Sequence, residues 1–222
     1  MRSPNSISNR RTFIRNTASL ASGLTALSLL PASGFAAPPS GDTDMFIIGP
    51  KEGYAPQIGT LVSMMAFMRW QLLRSVKDMS QAQLDFLFDD KANSIGALLY
   101  HLAATDAYYH IHTFQSTPWG GWSESDKKKW DVAMNLGDHA RKEIKGNNLD
   151  FYMGLLQESR ENTLAEFKKR DDNWFMTVDK TWPWGPTNNY CKWFHVCEHE
   201  SNHNGQIKLL AKRIPGAKPG NE

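Results

Sequence analysis

The chain is poor in cysteine: two in 222 residues, Cys191 and Cys197. Both lie in one stretch of helical pattern. Six steps of about 100° set them about 120° apart around the axis and about 9 Å along it. A disulfide does not span that gap, so two free thiols are expected, packed as small apolar residues. Strand signals are missing as well. No hairpin dipeptide joins two alternating runs, and no internal repeat or low-complexity tract occurs beyond the N-terminal segment. A basic body is also lacking. The net charge is +2, but Arg2, Arg10, Arg11 and Arg15 all precede the first acid, Asp42. Taking those four from the 25 basic residues leaves 21 against 23 acidic ones. A weakly acidic body argues against a nucleic-acid partner, which calls for a basic face.

The N-terminus reads as an export signal. Paired arginines in "NRRTFIR" stand ahead of "NTASLASGLTALSLLPASGFAA", which ends in small residues suited to a signal peptidase. Twin arginines before a mildly apolar segment form the twin-arginine pattern. Ser, Thr, Gly and Pro31 interrupt the segment, so it makes a poor span of about 20 residues. No cysteine stands near the cleavage point, which argues against a lipid anchor. Residues 1–37 are therefore expected to be a signal cleaved near Ala36, 38–53 a linker, 54–216 one domain, and 217–222 a tail. The mature protein is expected to be exported, periplasmic or extracellular, with no stable membrane span after cleavage.

What the sequence has in quantity is helix. Apolar residues recur at helical spacing over 54–79 (Ile58, Leu61, Met65, Met68, Leu72). Ser80 is a plausible cap for a short segment over 81–88. Asn93 and Ser94 open a second long helix over 95–115, and Asp126–Leu136 reads as a shorter one. Asn148 or Asp150 opens a third long helix to Arg170, closed by basic residues as the helix dipole favours. A loop over 171–189, broken by Pro183 and Pro186, precedes a last helix from Asn189 to Arg213, which stops at Pro215-Gly216. The expected fold is all-α: a four-helix bundle with a long connection between the second and third long helices.

The chemistry lies in "HVCEHESNHNGQI". His199 and His203, four apart on a helix, project from one face. Glu200 completes an H-E-x-x-H string, and a zinc metalloprotease is one reading of it. Such enzymes draw a third ligand from downstream. Here 19 residues follow His203, with no histidine among them and Glu222 the sole acid. A third ligand must come from upstream. His101, mid-helix in "SIGALLYHLAATDAYYH" and flanked by apolar residues, is the best candidate, since a buried unpaired imidazole is costly. A three-histidine set leaves a position open, as in catalytic sites. Cys197 projects about 160° from His199 and is a poor ligand. His110, His112 and His139 fall outside the pattern. Glu200 serves either as a general base or as a hydrogen-bonding brace for a ligand. Asp106 and Gln206 are expected to line or brace the pocket. His195, one turn before His199, either braces the site or packs on the helix surface.

Ser94, His101, Asp106, Tyr108 and Tyr109, together with His195, His199, Glu200, His203, Gly205 and Gln206 and the "TWPWG" loop, resemble the DinB/YfiT-like superfamily of metal-dependent proteins. The resemblance covers about residues 54 to 215. It implies a four-helix bundle with a divalent metal on His101, His199 and His203. Zinc or nickel is expected, with iron or manganese as alternatives. It further implies a metal-dependent transferase or hydrolase acting on a small-molecule substrate or thiol, and a homodimer, for which the first helix, rich in Met and carrying Trp70, offers a face. Two other functions stay open: a non-catalytic metal- or ligand-binding envelope or stress protein, and, as a minor alternative, the metalloprotease.

Overall fold

The structure is a computed structural model that describes residues 43–217. The expected signal, the start of the linker and the end of the tail lie outside the described residues. Four long helices carry the fold: α1 (Pro56–Val76), α3 (Ile95–Phe114), α6 (Leu149–Phe167) and α8 (Asn189–Ala211). Short elements fill the connections: α2 (Gln81–Leu84), α4 (Glu124–Asn135), α5 (Gly137–Glu143), α7 (Asp172–Met176), β1 (Val178–Asp179) and β2 (Thr187–Asn188). A 3-10 helix over Thr43–Phe46 precedes them.

The helix starts follow from cap chemistry. Pro56 opens α1, where a missing N–H costs nothing. Ser94 accepts from the Ala97 N–H at 3.1 Å, Asn148 from Phe151 at 3.0 Å and Asn188 from Cys191 at 2.8 Å. Each satisfies one orphan donor of a first turn. Ser80 and Gln83 cap one another reciprocally at α2. The third long helix ends at Phe167, so Lys168, Lys169 and Arg170 follow it instead of closing its last turn.

α3 is the central element, packed against α6 on one side and α8 on another, and α1 packs on α8. Gly96 sits where α3 passes close to Tyr152 of α6. A Cβ there would lie 2.6 Å from the Tyr152 hydroxyl. The core falls into two clusters. One is largely aliphatic, around Leu98, Leu102, Leu156 and Ile207. The other is aromatic, around Tyr109, Phe167, Phe175 and Trp193.

The structure corrects the sequence reading in two further places. The loop over 171–189 contains α7, capped by Asp171, and an antiparallel ladder pairing Val178 with Asn188 and Asp179 with Thr187. Two-residue strands are too short to show alternation. The connection between α3 and α6 holds two helices where one was expected. Leu136 and Gly137, at φ 52° and 73°, turn the chain from α4 into α5. Both cysteines are free as expected; Cys197 is buried, but Cys191 is exposed instead of packed. No helix among the described residues is long and apolar enough to cross a membrane.

Candidate metal centre

α3 presents His101, and α8 presents His199 and His203 from consecutive turns. One ring nitrogen from each lies within 4.8 Å of the others. The Nε2 atoms of His101 and His199 are 3.0 Å apart. Two imidazoles ligating one ion at about 2.0–2.1 Å place their nitrogens about 3.0–3.4 Å apart. The spacing therefore suits a shared cation with small adjustment of the side chains.

The hydrogen bonds behind the rings set their tautomers. His101 Nδ1–H donates to the Ala133 carbonyl of α4 at 3.0 Å, because a carbonyl only accepts. Its Nε2 then carries a lone pair toward the other histidines. His203 Nδ1–H donates to Gln206 Oε1 at 3.2 Å, and the Gln206 amide N–H donates to Asn202 Oδ1 at 3.2 Å. The amide chain leaves His203 Nε2 free as an acceptor. These are the partners that orient metal-binding imidazoles.

Electrostatics keep the rings neutral. Burial, followed by the neighbouring His203, pushes His101 down to about 4. Burial, then His203, His101 and His195, pushes His199 down to about 3. Burial lowers His203 too, against the opposing hydrogen bond from Gln206. Three neutral imidazoles, two of them oriented by hydrogen bonds, suit a divalent cation.

The remaining predicted residues divide. Gln206 touches His203 directly. His195 packs its ring 5.3 Å from His199, edge-on to Trp184 at 4.9 Å, while its Nδ1 meets Glu198 at 2.8 Å. Glu200 and Asp106 lie elsewhere. Glu200 is 2% exposed, and both its oxygens are taken: Oε1 by Arg69 Nε at 2.6 Å, Oε2 by Arg160 Nη2 at 2.8 Å. Asp106 accepts from Arg160 Nε at 2.7 Å and from the Thr163 hydroxyl at 2.7 Å. Burial opposes the charge of Arg160, but Asp106 and Glu200 outweigh it and hold the guanidinium firmly protonated. The two arginines also bridge α1 and α6, Arg69 to the Leu156 carbonyl at 2.8 Å and Arg160 to the Met65 carbonyl at 3.4 Å. This layer is a brace across the bundle. A glutamate occupied by two guanidinium groups is poorly placed to take a proton from water, so the string lacks the base a metalloprotease requires. Arg69, Arg160 and Thr163 were not singled out from the sequence. An arginine inside the apolar run "MMAFMRWQLL" was the available signal.

An all-α bundle with three converging histidines from its second and fourth long helices defines the class of protein. The chain matches the mycothiol-S-transferase family over residues 60–216, more than half its length, and it belongs to that family. A crystal structure of a conserved protein from Enterococcus faecalis shares the fold: TM-score 0.54, 16% identity, covering 70% of this chain and 95% of that one. No curated protein matches the chain.

Proposed function

We propose that the protein is a metal-dependent thiol transferase acting on small molecules, with a divalent metal on His101, His199 and His203. The observation that carries this reading is the convergence of three neutral imidazoles, two of them held by hydrogen bonds that leave Nε2 free. Family membership supports thiol chemistry, and a small thiol is the proposed co-substrate. A bound divalent cation supplies positive charge that lowers the pKa of a thiol or water. The chain's own part is positional. The Ala133 carbonyl and Gln206 fix two rings, and the arginine–carboxylate layer fixes the α8 backbone between them. Tyr109, Trp184 and His195 form an aromatic border beside the centre. Zinc and nickel are the proposed metals, although imidazole alone does not select between them.

Elemental analysis of protein purified from its native compartment, beside His199→Ala, tests the site. Metal in the wild type and its loss in the variant are expected. Absence from both overturns the reading. Thiol-transfer assays with low-molecular-weight thiols then test the reaction, and a metal-loaded protein without turnover would favour a binding function.

Export through the twin-arginine route is proposed from residues 1–37, and fractionation of cells expressing the full chain, with Arg10 and Arg11 changed to lysine as control, tests it. A homodimer through the outer face of α1 and the segment that precedes it is proposed from Phe46, Ile47 and Leu73. These are 51%, 65% and 41% exposed, with Phe46 edge-on to Trp70 at 5.4 Å. Sedimentation of the mature chain decides it.

A further inference from the structure

α4 ends against His101, and the way it ends is unusual. In a continuing helix the Gly137 N–H would return to the Ala133 carbonyl, four residues back. That bond is replaced. The Gly137 N–H donates to Asn93 Oδ1 at 3.2 Å, and the Leu136 N–H donates to the Val132 carbonyl at 3.1 Å. The two N–H groups that could close a turn on Ala133 are therefore engaged elsewhere. Ala133 is 2% exposed, and a buried carbonyl without a donor is costly. The donor it receives is His101 Nδ1–H, at 3.0 Å.

The break is strained, and its surroundings hold it. Leu136 lies at φ 52° and ψ −150°, a region that the β-carbon leaves almost entirely to glycine. Its side chain packs on the aliphatic core, which pins the residue there. Asn93, immediately before the cap of α3, supplies the oxygen that draws the Gly137 N–H away from Ala133. A second bond fixes the register of the two helices: the Tyr100 hydroxyl donates to the Lys129 carbonyl at 2.7 Å. Lys129 and Ala133 stand one turn apart on α4, and Tyr100 and His101 are successive on α3. Two neighbouring side chains of α3 thus grip carbonyls on two neighbouring turns of α4.

We infer that Asn93 and the Leu136–Gly137 break are positioning residues for the metal centre: they keep the Ala133 carbonyl open to His101, so that Nδ1 bears the proton and Nε2 presents its lone pair to His199 and His203. A continuous helix from α4 into α5 would fill that carbonyl with a backbone N–H. The imidazole, deprived of its acceptor, would then place its proton on Nε2, where it blocks a cation. The C-terminal end of α4 also carries the negative pole of the helix dipole, which favours the positive charge that a bound cation brings to the ring. This inference rests on the metal reading for its purpose, but the tautomer it predicts is a property of the metal-free chain.

The test reads that tautomer by long-range proton–nitrogen correlation NMR on the metal-free, isotope-labelled protein at neutral pH, where burial keeps the ring uncharged. The wild type is expected to carry the His101 proton on Nδ1. Asn93→Ala releases the Gly137 N–H, and Leu136→Ala combined with Gly137→Ala lets α4 run on. Both are expected to move the proton toward Nε2 and to weaken zinc binding about 10- to 100-fold in competition with a chelator. Asn93→Asp keeps an acceptor and is expected to restore both readouts. Leu136→Gly keeps the break at a residue suited to it and is expected to leave the proton on Nδ1. Lys129→Ala, which loses the ion pair between α4 and Glu158, is expected to change neither readout. A proton that stays on Nδ1 in both Asn93→Ala and the double variant, or a zinc affinity that falls while the tautomer holds, would overturn the proposal. A wild type that takes up no zinc ends the metal reading, and the tautomer alone then decides this one.

Discussion

The string H-E-x-x-H splits between two regions that solve opposite problems. His199 and His203 meet His101 of α3, where three imidazoles lie together and burial holds them neutral. Glu200, one residue on, turns about 100° around the same helix and enters a layer in which Arg69, Arg160, Glu200 and Asp106 satisfy one another. The first region is poised for an added charge. The second already has its charges balanced and stiffens the bundle. Identical spacing in a protease would put the glutamate at the metal. Here the partners on the facing helices, and not the string, decide what each residue does.

The largest effect that separates the two regions is expected from Arg160→Met. It leaves Asp106 and Glu200 buried beside a thioether. Losing one partner of a buried ion pair costs about 3–5 kcal/mol, read as a fall in the urea midpoint. Chains that remain folded should still take up metal, because no histidine touches Arg160; metal loss without destabilisation would break the comparison. His199→Ala should do the reverse, abolishing metal uptake while the metal-free protein keeps its helical circular dichroism. Gln206→Leu removes the acceptor behind His203 and should weaken metal binding about 10- to 100-fold, measured by competition with a chelator.

Acid sharpens the contrast. His101 and His199 titrate at about 4 and about 3 in the folded chain, against about 6.5 when unfolded. Between those values the unfolded chain binds more protons. The stability of the metal-free protein is therefore full above about pH 6.5 and falls as pH drops toward 4. Unfolding free energies that stay flat across that window would contradict burial as the cause. The smallest effect is expected from Cys191→Ser. This exposed thiol belongs to neither region, and the change should fall within about 0.5 kcal/mol, read from the urea midpoint.

Much of the fold was legible in local chemistry. Ser94 and Asn148 mark helix starts because a side-chain oxygen within reach of a first-turn N–H is a local event. Lys168–Arg170 misled, because basic residues favour a helix end without fixing on which side of it they stand. Asn189–Ala211 came within two residues of its expected end. α7 and the β1–β2 ladder escaped because elements of a few residues leave no period to read.

The candidate site shows the same division. The sequence by itself determined that His199 and His203 share a helix face, that His101 sits mid-helix among apolar residues, and that Cys191 and Cys197 do not pair, since each follows from the fixed rise and turn of one helix. Only the tertiary structure decided that Glu200 and Asp106 belong to a buried arginine layer, and that Ala133 and Gln206 set the imidazole tautomers. Those outcomes depend on which residues of other helices come within about 3 Å, a distance that packing sets and spacing along one chain does not.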